Sequence, residues 1–489
     1  MDTILRKEYF DKAFKLHNAG MIAEAQTFYK KILNENPQDC EVLNLMGLCE
    51  LNQKRYNQAH DFVVKAIAIK QNRYFYQTLS TVYDEQKEYQ KELETLLAEK
   101  ELFGLTVTLA FRLGLAYKKL ADFDNSIYYY QKVLEMDDSL ANAYVNLASL
   151  YMQQNEYENA IKCYNKAIEL VPNDDEAKYF LGICYLRLKN YENGLKYFES
   201  RLCRKTAIET ERVTYPNLIS DENIWHGEDI SDKVLYTYYE AGYGDMIMFM
   251  RYIPILEKRC KKLIIKPQLP LCNLLRENFP NIEVMDYFVD EKDMHFDVHI
   301  PFLSIPKALG LSGKDVFVAR NKYLNANKEK AKYYKKEFFN NDNYKIAIKW
   351  QGNTYYDIDR VINADAFSKL FELENTQVYS AQTFEGSEEF EKLSQQYNII
   401  DLGKTFKDFS DTAAAIKNVD LVICNDTSLA HLAGAMGKKC VILLPYMYNW
   451  RWHNNLKYCD WYKSAKLYRL DKNETWNSLM DKVVSELVI

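Results

Sequence analysis

Over the first two hundred residues, small, apolar and aromatic residues recur with a helical period, and the whole arrangement repeats about every 34 residues. In each copy a small residue is followed three positions later by Tyr, then by an aromatic, a small residue and a further aromatic. Gly114, Tyr117, Phe123, Ser126 and Tyr130 fit this order, as do Ala148, Tyr151, Tyr157, Ala160 and Tyr164, and Gly182, Tyr185, Tyr191, Gly194 and Phe198. Two earlier copies are in phase, one with Ala13, Gly20, Ala25, Tyr29 and Pro37, the other with Gly47, Tyr56, Ala59 and Ala66. A degenerate copy around Ser80, Tyr83 and Tyr89 runs one residue out of step and carries Glu92 where a small residue belongs. Small residues let two helices approach, and aromatics fill the groove beside them. Pro37 and Pro172 fall where a missing N–H and a fixed φ end a helix.

About six such helix-turn-helix units span Arg6 to Lys205, and their length and residue order are those of the tetratricopeptide repeat. Each pair leaves an apolar face that only its neighbour can cover, which predicts a superhelical stack with nearest-neighbour contacts. The repeated aromatics read as core. The concave surface expected of such a stack suits a peptide or protein partner, which the sequence does not name.

After Lys205 the rhythm changes. Residues 206–230, with Pro216 and Trp225-His226-Gly227, are polar and irregular and read as a connector. From Lys233, short β-rich runs alternate with amphipathic helices. Strands are expected at 234–239, 262–266, 282–284 and 297–300, with helices over 245–258 and 270–277. A second such block begins at Tyr344, with strands at 345–350, 377–380, 399–402, 421–424 and 440–444 and helices starting at Ala364, Asp408 and Leu429. The charged stretch 321–343 reads as a helical crossover. Strand–helix alternation predicts parallel sheets covered on both faces. The expected fold is therefore α plus α/β: a tetratricopeptide α-solenoid (1–205), a connector (206–230), and two Rossmann-like domains (231–335 and 336–489) with a ligand cleft at the carboxyl ends of their strands.

A chain of 489 residues is too long for one core, which agrees with this division. A net charge of −6 without a basic block argues against a nucleic-acid partner. No apolar run reaches the ~18 residues that span a bilayer, the charged start MDTILRKEYF is no secretory signal, and the ten scattered cysteines form no C-x-x-C pair. These features point to a cytoplasmic protein with reduced thiols.

Two turns are candidates for chemistry, because each follows a strand and opens a helix. The first is Glu240-Ala241-Gly242-Tyr243-Gly244-Asp245. It is no dinucleotide fingerprint, since Ile247 occupies the third glycine position. Its glycines let backbone approach a ligand. Asp245 is either a general base for an attacking hydroxyl or only a helix cap, and the residues alone leave both open. The second turn is Asn425-Asp426-Thr427-Ser428-Leu429-Ala430-His431. The free amides of a helix N-terminus suit an anion, Thr427 and Ser428 add hydroxyls, and His431 lies one turn on, on the face of Thr427. A diphosphate would fit there; the alternative is a capped helix with a satisfied histidine.

The segments GYGDMIMFMRYIP, DVHIPFLSIPKALG, IAIKWQGN, DFSDTAAAIKNVDLVICNDTSLAHLAGAMGKK and LLPYMYNWRW, in this order after the repeats, resemble the bacterial tetratricopeptide-repeat glycosyltransferases. These are related to the lipopolysaccharide heptosyltransferases and, more distantly, to the O-GlcNAc transferases. The resemblance covers the whole chain and implies a GT-B fold and a nucleotide-activated sugar donor. By it, Asp245 matches the proposed catalytic base, and Asp426, Thr427, Ser428 and His431 match the segment whose backbone amides hold the donor diphosphate. Gly352 and Asn353 match the donor-side Gly-Asn, and Arg360 the basic residue of the loop beyond it. Gly242, Gly244, His299 and Trp452 fall on the acceptor side or in the cleft. Trp450, Arg451 and Trp452 match an Asp-Trp-Arg-Trp segment, with Asn449 in place of its Asp. Two further departures are Gln351, where Ala is usual, and Val361 after Arg360, where a Ser hydroxyl is lost.

The resemblance implies a metal-independent transferase without a cofactor, in which Asp245 deprotonates an acceptor hydroxyl while the helix dipole at 427–431 and Arg360 stabilise the departing nucleoside diphosphate. No Asp-x-Asp pair lies in the right setting to call for a metal. The expected partners are the nucleotide-sugar and a polypeptide acceptor recruited by the repeats. An envelope-glycan acceptor and a non-catalytic repeat scaffold are the alternatives.

Overall fold

The structure is a computed structural model that describes residues 3–203, 223–285, 295–352, 360–383, 386–453 and 459–487. The expected connector lies largely outside these residues. The chain divides into two compact units, Met1–Asn173 and Asp174–Ile489.

The first unit is five antiparallel helix pairs: α1 (Thr3–Asn18) with α2 (Ile22–Glu35), α3 (Cys40–Asn52) with α4 (Tyr56–Ile69), α5 (Arg73–Glu85) with α6 (Tyr89–Phe103), α7 (Val107–Lys119) with α8 (Phe123–Met136), and α9 (Ala141–Gln153) with α10 (Tyr157–Leu170). Ala13, Ala25, Ala59, Ala148 and Ala160 are fully buried, as the pattern requires. A Cβ on Gly114 would stand 3.0 Å from the buried Tyr130 ring, so glycine there sets the helix spacing. The degenerate copy has a visible cause. The left-handed residues at the turns within pairs are Gly20, Lys54, Lys87, Ala121, Asn155 and, in the second unit, Lys189, spaced 34, 33, 34, 34 and 34 residues apart. The single short step falls at this copy. Glu92 stays inside a regular helix, buried, where Lys119 Nζ of the next repeat holds it at 3.2 Å and also reaches Asp84 at 2.5 Å.

The second unit opens with the sixth helix pair, α11 (Asp175–Arg187) and α12 (Tyr191–Phe198), followed by a 3-10 turn over Glu199–Leu202. The first parallel sheet holds β1 (Ile230–Tyr238), β2 (Cys260–Lys266), β3 (Glu283–Val284) and β4 (Val298–Pro301) in the order β3-β2-β1-β4. Helix α13 (Tyr243–Phe249) follows β1 and α14 (Cys272–Asn278) follows β2; α15 (Lys328–Phe338) precedes the second sheet. That sheet holds β5 (Tyr344–Lys349), β6 (Thr376–Ser380), β7 (Ile399–Asp401), β8 (Leu421–Asn425), β9 (Cys440–Leu444) and β10 (Ala465–Arg469), all parallel, in the order β10-β9-β8-β5-β6-β7. Its helices are α16 (Ser387–Gln396), α17 (Phe409–Ile416), α18 (Ser428–Ala435) and α19 (Trp476–Ser485).

The architecture is the expected one: helical repeats, then two parallel α/β sheets. The pattern did not announce β10, α16 or α19. The helix expected over 245–258 breaks after Phe249 into a 3-10 turn and a short helix from Ile253, and the one expected from Ala364 is a 3-10 turn plus Ser368–Phe371. Strand alternation buries both faces of the second sheet. Ala347, Val422, Cys424 and Ile442 join a core that runs through both sheets and α11–α12, while Ile346, Ile348, Ile423 and Leu443 pack on the other side.

Candidate functional site

In each sheet the strand order reverses once, between β1 and β4 in the first and between β5 and β8 in the second. Loops leaving such a point on opposite sides open a crevice at the strands' carboxyl ends. Both candidate turns leave from these points.

The first turn begins at Glu240, which is 3% exposed. Its carboxylate takes two hydrogen bonds from Arg201, each of 2.9 Å, and one of 2.8 Å from the Leu303 amide that follows β4. Arg201, on the 3-10 turn after α12, also binds Glu199 at 2.7 Å and Ser304 Oγ at 2.6 Å. The end of the sixth helix pair therefore fastens the base of this turn. Asp245 sits in the first turn of α13, where its Oδ2 accepts from the Gly242 amide at 3.2 Å. The capping role is thus present. Its other oxygen forms an ion pair with Arg451 Nη2. Burial pulls the Arg451 guanidinium down to about 10, so it is still charged at neutral pH.

The second turn caps α18 with Thr427, whose side chain makes no bond to the helix amides; its Oγ lies 3.4 Å from Asn425 O. Among the described residues no side chain accepts from the amides at this helix start. Asp426 is 6% exposed and pairs with Arg360, Nη1 to Oδ2 at 3.2 Å, and the same Nη1 donates to Asp426 O at 3.3 Å. Asn425 Nδ2 donates to Arg360 O at 2.7 Å, so the two loops are cross-tied. His431 is enclosed: Nδ1 meets Tyr462 Oη at 2.9 Å, Nε2 faces Asp426 Oδ1 at 4.0 Å, and the ring stacks on Trp452 at 4.9 Å. Burial lowers its pKa to about 4, against the pull of Asp426, so it is neutral at neutral pH. It reaches the site through Asp426 and Trp452.

The two turns touch. A Cβ on Gly244 would stand 2.8 Å from His431 Cδ2 and 3.5 Å from Ser428 Cα, so only glycine permits this approach. Gly352, after β5, lies against Thr427 in the same way, 3.1 Å from its Cγ2 to where a Cβ would be. The structure thus brings Gly242, Gly244, Asp245, Gly352, Arg360, Asp426, Thr427, Ser428, His431 and Trp452 to one locus around the start of α18. Asn353 lies outside the described residues. His299 is elsewhere: on β4 it pairs in register with Tyr236 and packs with Tyr238 and Phe296, on the face of the sheet turned away from the Leu235 and Ile300 core against which α13 packs. Period-two alternation sends it there. Arg451, as the partner of Asp245, is the site residue whose role the pattern did not reveal, together with Glu240, Arg201 and Tyr462. Among the described residues no group of three or more His, Cys, Asp or Glu side chains is gathered closely enough to hold a metal ion, and no helix is long and apolar enough to cross a membrane.

These features define a class: a repeat protein joined to a two-sheet α/β unit with an open helix N-terminus at a strand-order switch. Residues 328–465 match the family model of glycosyltransferase family 9 (heptosyltransferase), and residues 107–139 and 141–174 match tetratricopeptide repeat models. The chain carries tetratricopeptide repeats and a glycosyltransferase family 9 domain, which supports glycosyl transfer as its activity and protein interaction for its repeats. No curated protein matches it. Similar solved structures include MamA (residue 41 to the end) from Desulfovibrio magneticus RS-1, at 22% identity over 35% of this chain and 97% of that one, TM-score 0.33. Another is pilF of Pseudomonas aeruginosa, at 17% identity over 42% and 95%, TM-score 0.37. A third is a tetratricopeptide repeat protein from Parabacteroides merdae ATCC 43184, at 17% identity over 41% and 79%, TM-score 0.37.

Proposed function

We propose that this chain transfers a sugar from a nucleotide-sugar donor to an acceptor hydroxyl on a polypeptide recruited by its repeats. The observation that carries the reading is the contact of the Gly-Asp turn with the uncapped start of α18. It brings a carboxylate beside amides suited to a diphosphate. In the step envisaged, Asp245 takes the acceptor hydroxyl proton, the oxygen bonds to the anomeric carbon, and the bond from that carbon to the diphosphate breaks. The electron pair leaves on the nucleoside diphosphate, where the α18 dipole and Arg360 offset the new charge. Asp426 holds Arg360 in place. The protein uses no cofactor, and the reaction needs no metal.

The test is to incubate the full chain with a panel of nucleotide sugars, reading thermal shift and slow donor hydrolysis, with and without chelator. At least one donor is expected to stabilise the protein and be hydrolysed at the same rate in chelator. Asp245→Ala is expected to abolish transfer and hydrolysis while donor still binds. No response to any donor would leave a repeat-mediated scaffold as the better reading, and full turnover by the Asp245→Ala protein would remove the base assignment.

A further inference from the structure

We propose that Arg451 changes partner during the reaction: it neutralises Asp245 in the arrangement seen here and moves to the donor diphosphate, so that the carboxylate is freed only when donor is bound. This rests on the cleft being a nucleotide-sugar site.

Three observations converge. The Asp245 and Arg451 side chains are only 15% and 11% exposed, so each needs an opposite charge, and neither can part from the other without a replacement. The Arg451 Nε–H is buried and has no hydrogen-bond acceptor among the described residues, so the guanidinium has donor capacity to offer. Its anchor is also fixed beside the diphosphate position. Trp450 lies against the guanidinium at 5.0 Å, while Trp452 stacks on His431 of α18. The side chain therefore swings from a base held on the helix whose start would bind the phosphates.

The chemistry requires such a release. A guanidinium on a carboxylate stabilises the ionised form and weakens it as a proton acceptor. An Asp245 held by Arg451 throughout would be a poor base. A diphosphate brings more than one negative charge into the same pocket and is the stronger competitor for a bidentate guanidinium.

The test is calorimetric titration of the full-length wild type, Asp245→Asn, Arg451→Gln and the double variant with UDP, GDP, ADP and CDP as separate probes. The Asp245→Asn change keeps an oxygen for the Gly242 amide and removes only the charge. For the diphosphate that binds the wild type, Asp245→Asn is expected to tighten binding about tenfold, and Arg451→Gln to weaken it by about as much or more. The double variant is expected to bind like Arg451→Gln, because the gain is routed through the arginine. Arg451→Lys is expected to recover part of the affinity, which separates lost charge from lost packing. If Asp245→Asn tightens binding equally in the Arg451→Gln background, Asp245 merely repels the ligand and the exchange is refuted. If it does not tighten binding at all, Arg451 is not shared, and the inference fails while the nucleotide reading stands. If no diphosphate binds the wild type, the nucleotide reading fails and takes the exchange with it.

Discussion

The junction between the sixth helix pair and the first sheet gives the sharpest stability prediction. Arg201 and Glu240 side chains are 7% and 2% exposed. In Arg201→Met the Glu240 carboxylate keeps, among the described residues, only the Leu303 amide, and Ser304 and Glu199 lose their shared donor. Removing one partner of a buried ion pair leaves an uncompensated charge, at a cost of roughly 3–5 kcal/mol. For a unit of this size that lowers the melting temperature by roughly 5–15 °C. The assay can be confined to the right unit, because all six tryptophans, at 225, 350, 450, 452, 461 and 476, lie beyond Asn173. Tryptophan fluorescence in urea therefore follows the α/β unit, whereas far-UV circular dichroism follows both. The expected result is a fluorescence transition displaced to lower urea, with the dichroism of the repeats retained beyond it. Adding Glu240→Gln should return at least about 2 kcal/mol, because it removes the stranded charge. A single variant within about 1 kcal/mol of wild type, or a double variant no better than the single, would refute this account of the junction.

Two further outcomes follow from the same unit. His431 has a pKa near 4 in the folded protein, set first by burial, against about 6.5 when unfolded. Its contribution is complete above pH 6.5 and is lost as pH falls towards 4, by up to about 3 kcal/mol; urea midpoints of His431→Gln should be flatter than wild type across that window, and equal slopes would show that His431 does not control it. Lys189 pairs with Asp460 at 2.6 Å, but it is 43% exposed and Asp460 keeps His453 at 3.0 Å, so Lys189→Met should cost less than about 1 kcal/mol in the same assay, and a loss comparable to Arg201→Met would overturn the distinction drawn from exposure.

What could be read from the chain depended on how local the cause was. The repeats were legible because small residues at fixed spacing are a direct record of helix contact. Even the out-of-step copy had its counterpart in the short interval between Lys54 and Lys87. Strands β8 and β9 were legible because both faces are buried, giving the continuous runs Leu421 to Cys424 and Cys440 to Leu444. Strand β10 was not, since Lys466 and Arg469 break its apolar run, and helix α16 is almost wholly polar. For the site, the two turns were visible as strand-turn-helix junctions. His299 was expected on the acceptor side or in the cleft and instead packs with Tyr238 and Phe296, because the residues alone do not say which face of a strand meets the cleft. Arg451 and Arg201 were out of reach in a different way: each finds its carboxylate through the packing of distant segments, and no spacing rule connects Arg451 to Asp245.

The charges at the paired turns bear on how such a site works. Each turn contributes one aspartate, half-buried at Asp245 and buried at Asp426, and each is answered by an arginine from a neighbouring loop, Arg451 for Asp245 and Arg360 for Asp426. His431, which is neutral, adds nothing to the sum. These two pairs balance one another, the buried Arg251 lies near enough to help lower the His431 pKa, and the open start of α18 adds a fractional positive charge. A diphosphate carries more than one negative charge, and an arginine that gives up part of its hold on its aspartate would answer it further. Arg360 is the less suited to do so, because its loop is cross-tied to Asn425 and it also binds the Asp426 backbone. Arg451 has an unused donor and is tied to its aspartate by the side chain alone. The asymmetry between the two pairs therefore supports the proposal that Arg451 is the partner that lets go, and its aspartate is the carboxylate proposed as the base.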